Sequence, residues 1–224
     1  MATAEEEAMP GMHHVIGLTG GIGSGKSSVA YFLKKSLGAE HVDVDIICKH
    51  LLQKGNRGWR AFIKAFGNRF LDSDENIDRP ALRQAVFTEA AIRRQVNMIV
   101  HPLARHEILQ IIKTFRSKPE PLFLVVEVPL LFEANWQTDF DKNIVVYAEK
   151  NKRVERLMTR DGINRGQAES AIAAQQALAE KTMLADHVID NSGPWPILQI
   201  SPFTRISPDR INCWIMVRDN CSIS

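Results

Sequence analysis

Residues 14–37, HVIGLTGGIGSGKSSVAYFLKKSL, decide how the rest of the chain reads. The first six of them are a short apolar run stopped by glycine, the mark of a buried strand. Residues 20–27, GGIGSGKS, then match G-x-x-x-x-G-K-[ST] in full. Glycines in such a loop let successive backbone N–H groups turn inward around phosphate oxygens, helped by the positive end of the helix that follows. From Lys26 to Leu37, apolar residues recur at Val29, Phe32 and Leu33 with helical spacing, and Gly38 is placed to close that helix. Residues 41–46, HVDVDI, alternate as a second strand. Strand, glycine loop, helix and strand make a βαβ unit, so the fold class is α/β. A strand before the motif and a helix after it are the context in which it binds nucleotide phosphate. The expected ATP-phosphate residues are therefore Gly21, Gly23, Ser24, Gly25, Lys26, Ser27 and Ser28. Lys26 reaches the β- and γ-phosphates, and the Ser27 hydroxyl sits on Mg²⁺.

Beyond this unit, residues 46–115 read as mostly helical, with a short helix over 47–54 and helical spacing over 59–66. A turn cluster at 71–80, LDSDENIDRP, interrupts before helices over 81–100 and 103–115. Such an insertion between strands two and three is a good place for an acceptor-binding subdomain. Residues 122–126, LFLVV, suit a central parallel strand, 143–147 another, and 187–189 a short edge strand. Helices over 150–160 and 166–184 fill the gaps. The expected organisation is a disordered leader over 1–12 and a domain over 13–193. Within that domain lie a core at 13–45 and 120–193, a helical subdomain at about 46–118 and a lid at about 150–180. Residues 194–224 hold four of the ten prolines and two of the three cysteines and show no helical or strand period, so no structure is forced on them.

Composition narrows the class. The chain has 224 residues, 45% hydrophobic and 24% charged, which fits a globular protein and excludes a collagen, a coiled-coil rod or a mainly disordered chain. A net charge of +2 gives no field that advertises nucleic acid or an anionic membrane as partner. Cys48, Cys213 and Cys221 form no CxxC pair, which argues against a disulfide framework or zinc site and for a reducing compartment. The acidic N-terminus has no apolar signal region, and the apolar stretch 121–132 is too short to span a bilayer. The expectation is a cytoplasmic protein without nucleic-acid, membrane or obligate protein partner.

Several side chains are placed for chemistry. Asp43 and Asp45 close the second strand on one face, and ligands of parallel sheets gather beyond the carboxyl ends of strands. Asp45, nearer the end, is a candidate base for an acceptor hydroxyl or a ligand of a Mg²⁺-bound water; capping the next helix is the structural alternative. Arg153, Arg156 and Arg160 fall at i, i+3 and i+7, one helical face, with Val154, Leu157 and Met158 on the other. Guanidinium groups brought in by closure can hold the oxygens of a phosphoryl group in transfer, and a solvated basic face is the alternative. His101-Pro102 is expected to fix a bend between two helices, because the residue before proline is pushed out of helical space. Glu127, after the apolar strand, resembles the acid that holds metal in nucleotide-binding sheets. Arg79 and Arg83 lie in the helical insertion, but nothing in their spacing assigns a ligand.

Taken together, residues 17–30, GLTGGIGSGKSSVA, and 42–52, VDVDIICKHLL, resemble the opening of dephospho-CoA kinases. HPL at 101–103, VPLLFE at 128–133, RLMTRD at 156–161, AAQ at 173–175 and ADHVIDNSG at 185–193 follow in the family's order. The resemblance runs from about Val15 to Gly193. It implies a P-loop kinase-like parallel sheet flanked by helices, with a helical acceptor-binding insertion and a helical lid. The implied reaction passes the γ-phosphate of ATP to the ribose 3′-hydroxyl of dephospho-CoA, with Asp45 as base, Lys26 and Arg160 catalytic, and Arg156 and Arg160 on the ATP phosphates. Asp43, Asp45, Arg83, His101 and Leu131 are then the acceptor-side residues, with Arg165 a further lid arginine. The chain departs from the family at Ser28, where threonine is usual, and after Pro194, where the family continues with a helix. The alternatives are a nucleoside or nucleotide kinase and a catalytically impaired P-loop binding protein. A GTP switch is disfavoured, because 151–154, NKRV, lacks the aspartate of the guanine-reading pattern.

Overall fold

The computed structural model describes residues 13–119, 122–193 and 199–200, the side chains of Phe87, Gln199 and Ile200 excepted. Six strands form one sheet: β1 (His14–Gly20), β2 (Glu40–Asp43), β3 (Phe123–Glu127), β4 (Lys142–Tyr147), β5 (His187–Asp190) and β6 (Gln199–Ile200). Their order is β2-β3-β1-β4-β5-β6. β1 pairs in parallel with β3, Leu18 opposite Glu127, and with β4, Gly20 opposite Val146. β4 and β5 are parallel, and β6 runs antiparallel to β5. The chain leaves β1 toward β2 on one side of the sheet and later builds β4 and β5 on the other. The loop after β1 thus opens at the switch point of the sheet, where parallel folds hold ligands.

The described residues divide into two compact units, one of those up to 42 with those from 115 onward and one of residues 43–114. In the first, α1 (Lys26–Leu37) lays Val29, Ala30 and Leu33 against Ile16, Leu18, Val125, Val146 and Ile189 of the sheet. Val15, Leu18 and Leu124–Val126 have at most a trace of exposed surface, each such side chain contributing about 1.5–3 kcal/mol. α6 (Lys150–Asp161), α7 (Arg165–Ala173) and α8 (Leu178–Leu184) follow β4. Val154, Leu157 and Ala168 form a small core on which Ile22 packs. Lys181 of α8 is fully buried, its Nζ 2.5 Å from Glu133 and donating to the Pro129 carbonyl, so its charge is paired.

The second unit holds α2 (Val44–Leu51), α3 (Arg57–Phe66), α4 (Arg79–Thr88) and most of α5 (Ala90–Arg116). Its core is Phe62, Phe70, Ile77, Leu82, Ala85 and Ile92, with Phe62 and Phe66 rings 4.7 Å apart.

The structure corrects three expectations. β2 ends at Asp43, so Asp45 belongs to the first turn of α2 and not to a strand. The helices around His101-Pro102 are one: α5 runs through Pro102, and the break comes earlier, at Glu89 between α4 and α5. Proline is tolerated because Pro102 is exposed and the carbonyl it frees belongs to Met98, 70% exposed and able to meet water. β5 is no edge, since β6 pairs beside it. The leader 1–12 lies outside the described residues, and so does the tail 194–224 apart from the two residues of β6.

Candidate active site

The loop between β1 and α1 is shaped by bonds to its own carbonyls. Arg153 Nε donates to Ile22 O at 2.9 Å, Arg156 donates to Ser24 O at 3.3 Å and Asn191 O at 2.8 Å, and Asn191 Nδ2 donates to Ser24 O at 2.9 Å. The Ile22 N–H donates to Gln175 Oε1 at 2.8 Å. Four side chains from α6, the residues after α7 and the end of β5 therefore set the loop's shape without help from a ligand. A receptor for charge works best when its dipoles need no reorganisation on binding.

Gly25 is where only glycine serves. Its φ of 88° is left-handed, and a Cβ there would lie 2.3 Å from Asn191 Nδ2. As the N-cap of α1 it has no side chain to spend on the first N–H groups, and the first turn carries no acid. The positive end of α1 is open to an anion. Lys26, Ser27 and Ser28 occupy that first turn, Ser27 and Ser28 exposed. Ser24, expected among the residues on the ATP phosphates, is fully buried, and its N–H donates to Gly21 O at 3.1 Å, which closes the loop's turn.

Ser27 Oγ donates to Glu127 Oε1 at 2.8 Å. Glu127, 5% exposed at the end of β3, leaves Oε2 buried without a hydrogen bond, 3.5 Å from His41 Nε2. An unsatisfied carboxylate oxygen beside a serine hydroxyl is the hard-oxygen donor set that Mg²⁺ selects, so these residues fit that ion.

Asp43 caps α2: its Oδ1 accepts the Asp45 N–H at 2.8 Å. Asp45 is exposed in the same first turn. Burial first, then the carboxylates of Asp45 and Asp43, push the Cys48 thiol up to about 11.

The remaining expected residues separate. Arg156 spends its guanidinium on the loop's backbone. Arg160 is exposed and forks onto Asp161 at 2.7 and 2.8 Å, which raises its pKa further. Arg165 is exposed and bonds Glu169. Arg153 does not share a solvated face with them; it is 6% exposed. Leu131, expected on the acceptor side, has no exposed surface and packs where a Cβ on Gly17 would stand; it is a core residue. In the second unit, His101 is half-buried, and burial lowers its pKa below the usual histidine range. Arg83 and Arg79 line a shallow cleft with Pro80, Gln84 and Thr88. Sequence reasoning missed Gln175, Asn191 and Arg153 as parts of the cradle. The first two lie in AAQ and ADHVIDNSG, segments noticed for their order and not for a partner.

Among the described residues no helix is long and apolar enough to cross a membrane. A family model described as CoaE, dephospho-CoA kinase, matches residues 14–196. The chain is 38% identical over 179 residues to a dephospho-CoA kinase of Oceanobacillus iheyensis, covering 80% of this chain and 88% of that one. It is 42% identical over 180 residues to one of Geobacter metallireducens, with the same two coverages. The crystal structure of TT1252 from Thermus thermophilus superposes with a TM-score of 0.68 at 28% identity, covering 81% of this chain and 90% of that one. The match begins at β1 and runs past Asn191, taking in the cradle and all that braces it, and on it the chain belongs to the dephospho-CoA kinase family.

Proposed function

We propose that the chain transfers the γ-phosphoryl group of ATP to the ribose 3′-hydroxyl of dephospho-CoA, giving coenzyme A and ADP. The observation that carries this is the family match over residues 14–196 in a chain whose cradle is built open at α1. The triphosphate lies along Gly21–Gly25, held by the N–H groups at the start of α1 and by Lys26 at the β- and γ-phosphates. Ser27 and Glu127 would hold Mg²⁺, which would supply positive charge against the phosphate oxygens. Asp45 takes the proton from the acceptor's 3′-oxygen as the new O–Pγ bond forms and the bond from Pγ to the bridging oxygen of ADP breaks. Arg160, released from Asp161, meets the charge on the equatorial oxygens, while Arg156 keeps the loop's carbonyls in place.

The acceptor carries an arm well beyond its reacting hydroxyl. Ile46, Ile47, His50 and Leu51 of α2, with Glu107 and Ile111 of α5, line a cleft of about 420 Å³ in the second unit. We place the pantetheine arm there, one helical turn from Asp45, with His101 and Arg83 on the acceptor side. Remote contacts of this kind align the reacting hydroxyl, so a truncated acceptor loses kcat as well as affinity. The test is product formation with equal ATP and Mg²⁺ and three acceptors. Dephospho-CoA is expected to exceed adenosine and AMP by at least about 10²-fold in kcat/KM, or ~3 kcal/mol. Equal rates would move the chain to the nucleoside or nucleotide kinases.

A further inference from the structure

Among the described residues, Arg153 of the first unit stands out as a buried cation with no acidic partner. Its side chain is 6% exposed. Among the described residues its one hydrogen bond is from Nε to Ile22 O, 2.9 Å. Burial lowers its pKa, and the ionisable group that opposes this is the Tyr147 phenol, with no carboxylate contributing. Arg156, one turn on, bonds three carbonyls from a half-exposed position, and the buried Lys181 has Glu133 at 2.5 Å. Burying a charge without an opposite partner costs free energy, so a residue left in that state needs compensation from elsewhere.

The compensation available is the ligand's. The guanidinium lies against the phosphate loop itself: a Cβ on Gly21 would stand 2.5 Å from its terminal nitrogen and 2.7 Å from Cζ. The backbone of Arg153 is as close to Gly23, whose Cβ would stand 2.8 Å from the Arg153 carbonyl. We propose that Arg153 is a positioning residue whose buried charge is neutralised by the phosphates of bound nucleotide, so that nucleotide affinity includes the relief of a cation with no acidic partner among the described residues. It acts through the loop Gly21–Gly23, and by long-range attraction in a dry environment, without replacing Lys26. This rests on the reading of the loop as a nucleotide cradle.

The experiment is thermal unfolding and calorimetric binding with ADP, for the wild type and for Arg153→Met, Arg153→Gln and Arg153→Lys. ADP raising the Tm of the wild type tests the cradle; no rise would end that reading and this inference with it. Given that rise, Arg153→Met is expected to melt in its free form at or above the wild-type temperature, with a smaller ADP increment and a Kd about 10-fold weaker, ~1.4 kcal/mol. Arg153→Lys, which keeps the charge, recovers part of the increment. Arg153→Gln, which keeps a donor for Ile22 O, does not recover it and covers the case in which methionine fails to fold. A free-form Tm several degrees below wild type, with Kd and ADP increment unchanged, would make Arg153 structural only. Glutamine matching wild type in Kd would assign the effect to the hydrogen bond. Either result overturns the proposal.

Discussion

α1 and α2 each follow a strand of the sheet, and they begin in opposite ways. α1 starts from Gly25, with no capping side chain and no acid in its first turn. α2 starts from Asp43, whose carboxylate takes the Asp45 N–H, and it adds Asp45 itself to the first turn. One helix leaves its positive end to a ligand; the other satisfies it from its own chain. A helix terminus becomes a receptor when the sequence withholds the residues that would otherwise stabilise it, and stability forgone at α1 is recovered when the anion binds.

The contrast is open to direct attack. The largest expected effect is at α2, where the carboxylates have different duties. Asp45→Asn should cut kcat by about 10²–10⁴-fold with ATP affinity nearly unchanged, read from single-turnover rates beside calorimetric Kd. A larger loss in Asp43→Asn would reverse the two assignments. At α1, Lys26→Ala should keep the fold, by circular dichroism, and lose ATP binding or turnover by about 10²-fold or more. Normal activity would remove the phosphate cradle. Ser28→Glu gives α1 the acid that α2 already has in its first turn. ATP should then bind on the order of 10-fold more weakly, and the deficit should shrink in high salt. Affinity equal to wild type would show that the open terminus contributes nothing.

Smaller effects separate the two duties of Asp43. Asp43→Ala removes the cap and should cost about 1 kcal/mol in urea unfolding, whereas Asp43→Asn, which still accepts from the Asp45 N–H, should cost much less. The same alanine removes one of the negative charges facing Cys48. Its thiol should titrate below about 11 but still above the ordinary value, because burial is the larger cause. An unchanged thiol pKa would mean that the carboxylate's field does not reach it.

Where short-range rules apply, the sequence was legible. Apolar runs and the glycine loop located β1, α1, β3 and β4, because strand burial and helix spacing are written in neighbouring residues. The end of β2 was not, since VDVDI alternates through Asp45 while Asp43 stops the strand by capping a helix. The sequence reads α5 as two helices because the residue before proline is disfavoured in helical space; that the helix runs on, with the hydrogen bond lost at the exposed Met98 turn, depends on packing and not on the dipeptide. Leu131 lies in a segment shared with the family, and a shared segment says nothing about which of its residues face a ligand. The braces on the loop were the least legible. Arg153, Gln175 and Asn191 find carbonyl or N–H partners more than 130 residues away, and no spacing rule reaches that far.

The Asn191–Ser24 bond also has a consequence in time. It joins residues 167 apart, and Asn191 sits at the far end of the kinase domain. A ribosome delivers the glycine loop well before its last brace, which comes only after β5. Until then a nascent chain carries the phosphate motif without the contacts that give it shape, and closing so long a loop is slow compared with forming α1. Competence to hold nucleotide should therefore arrive late and abruptly during synthesis. Arrested chains that expose residues through Leu184 should fail to retain an ATP analogue, and chains that expose Asn191 and Ser192 should retain it.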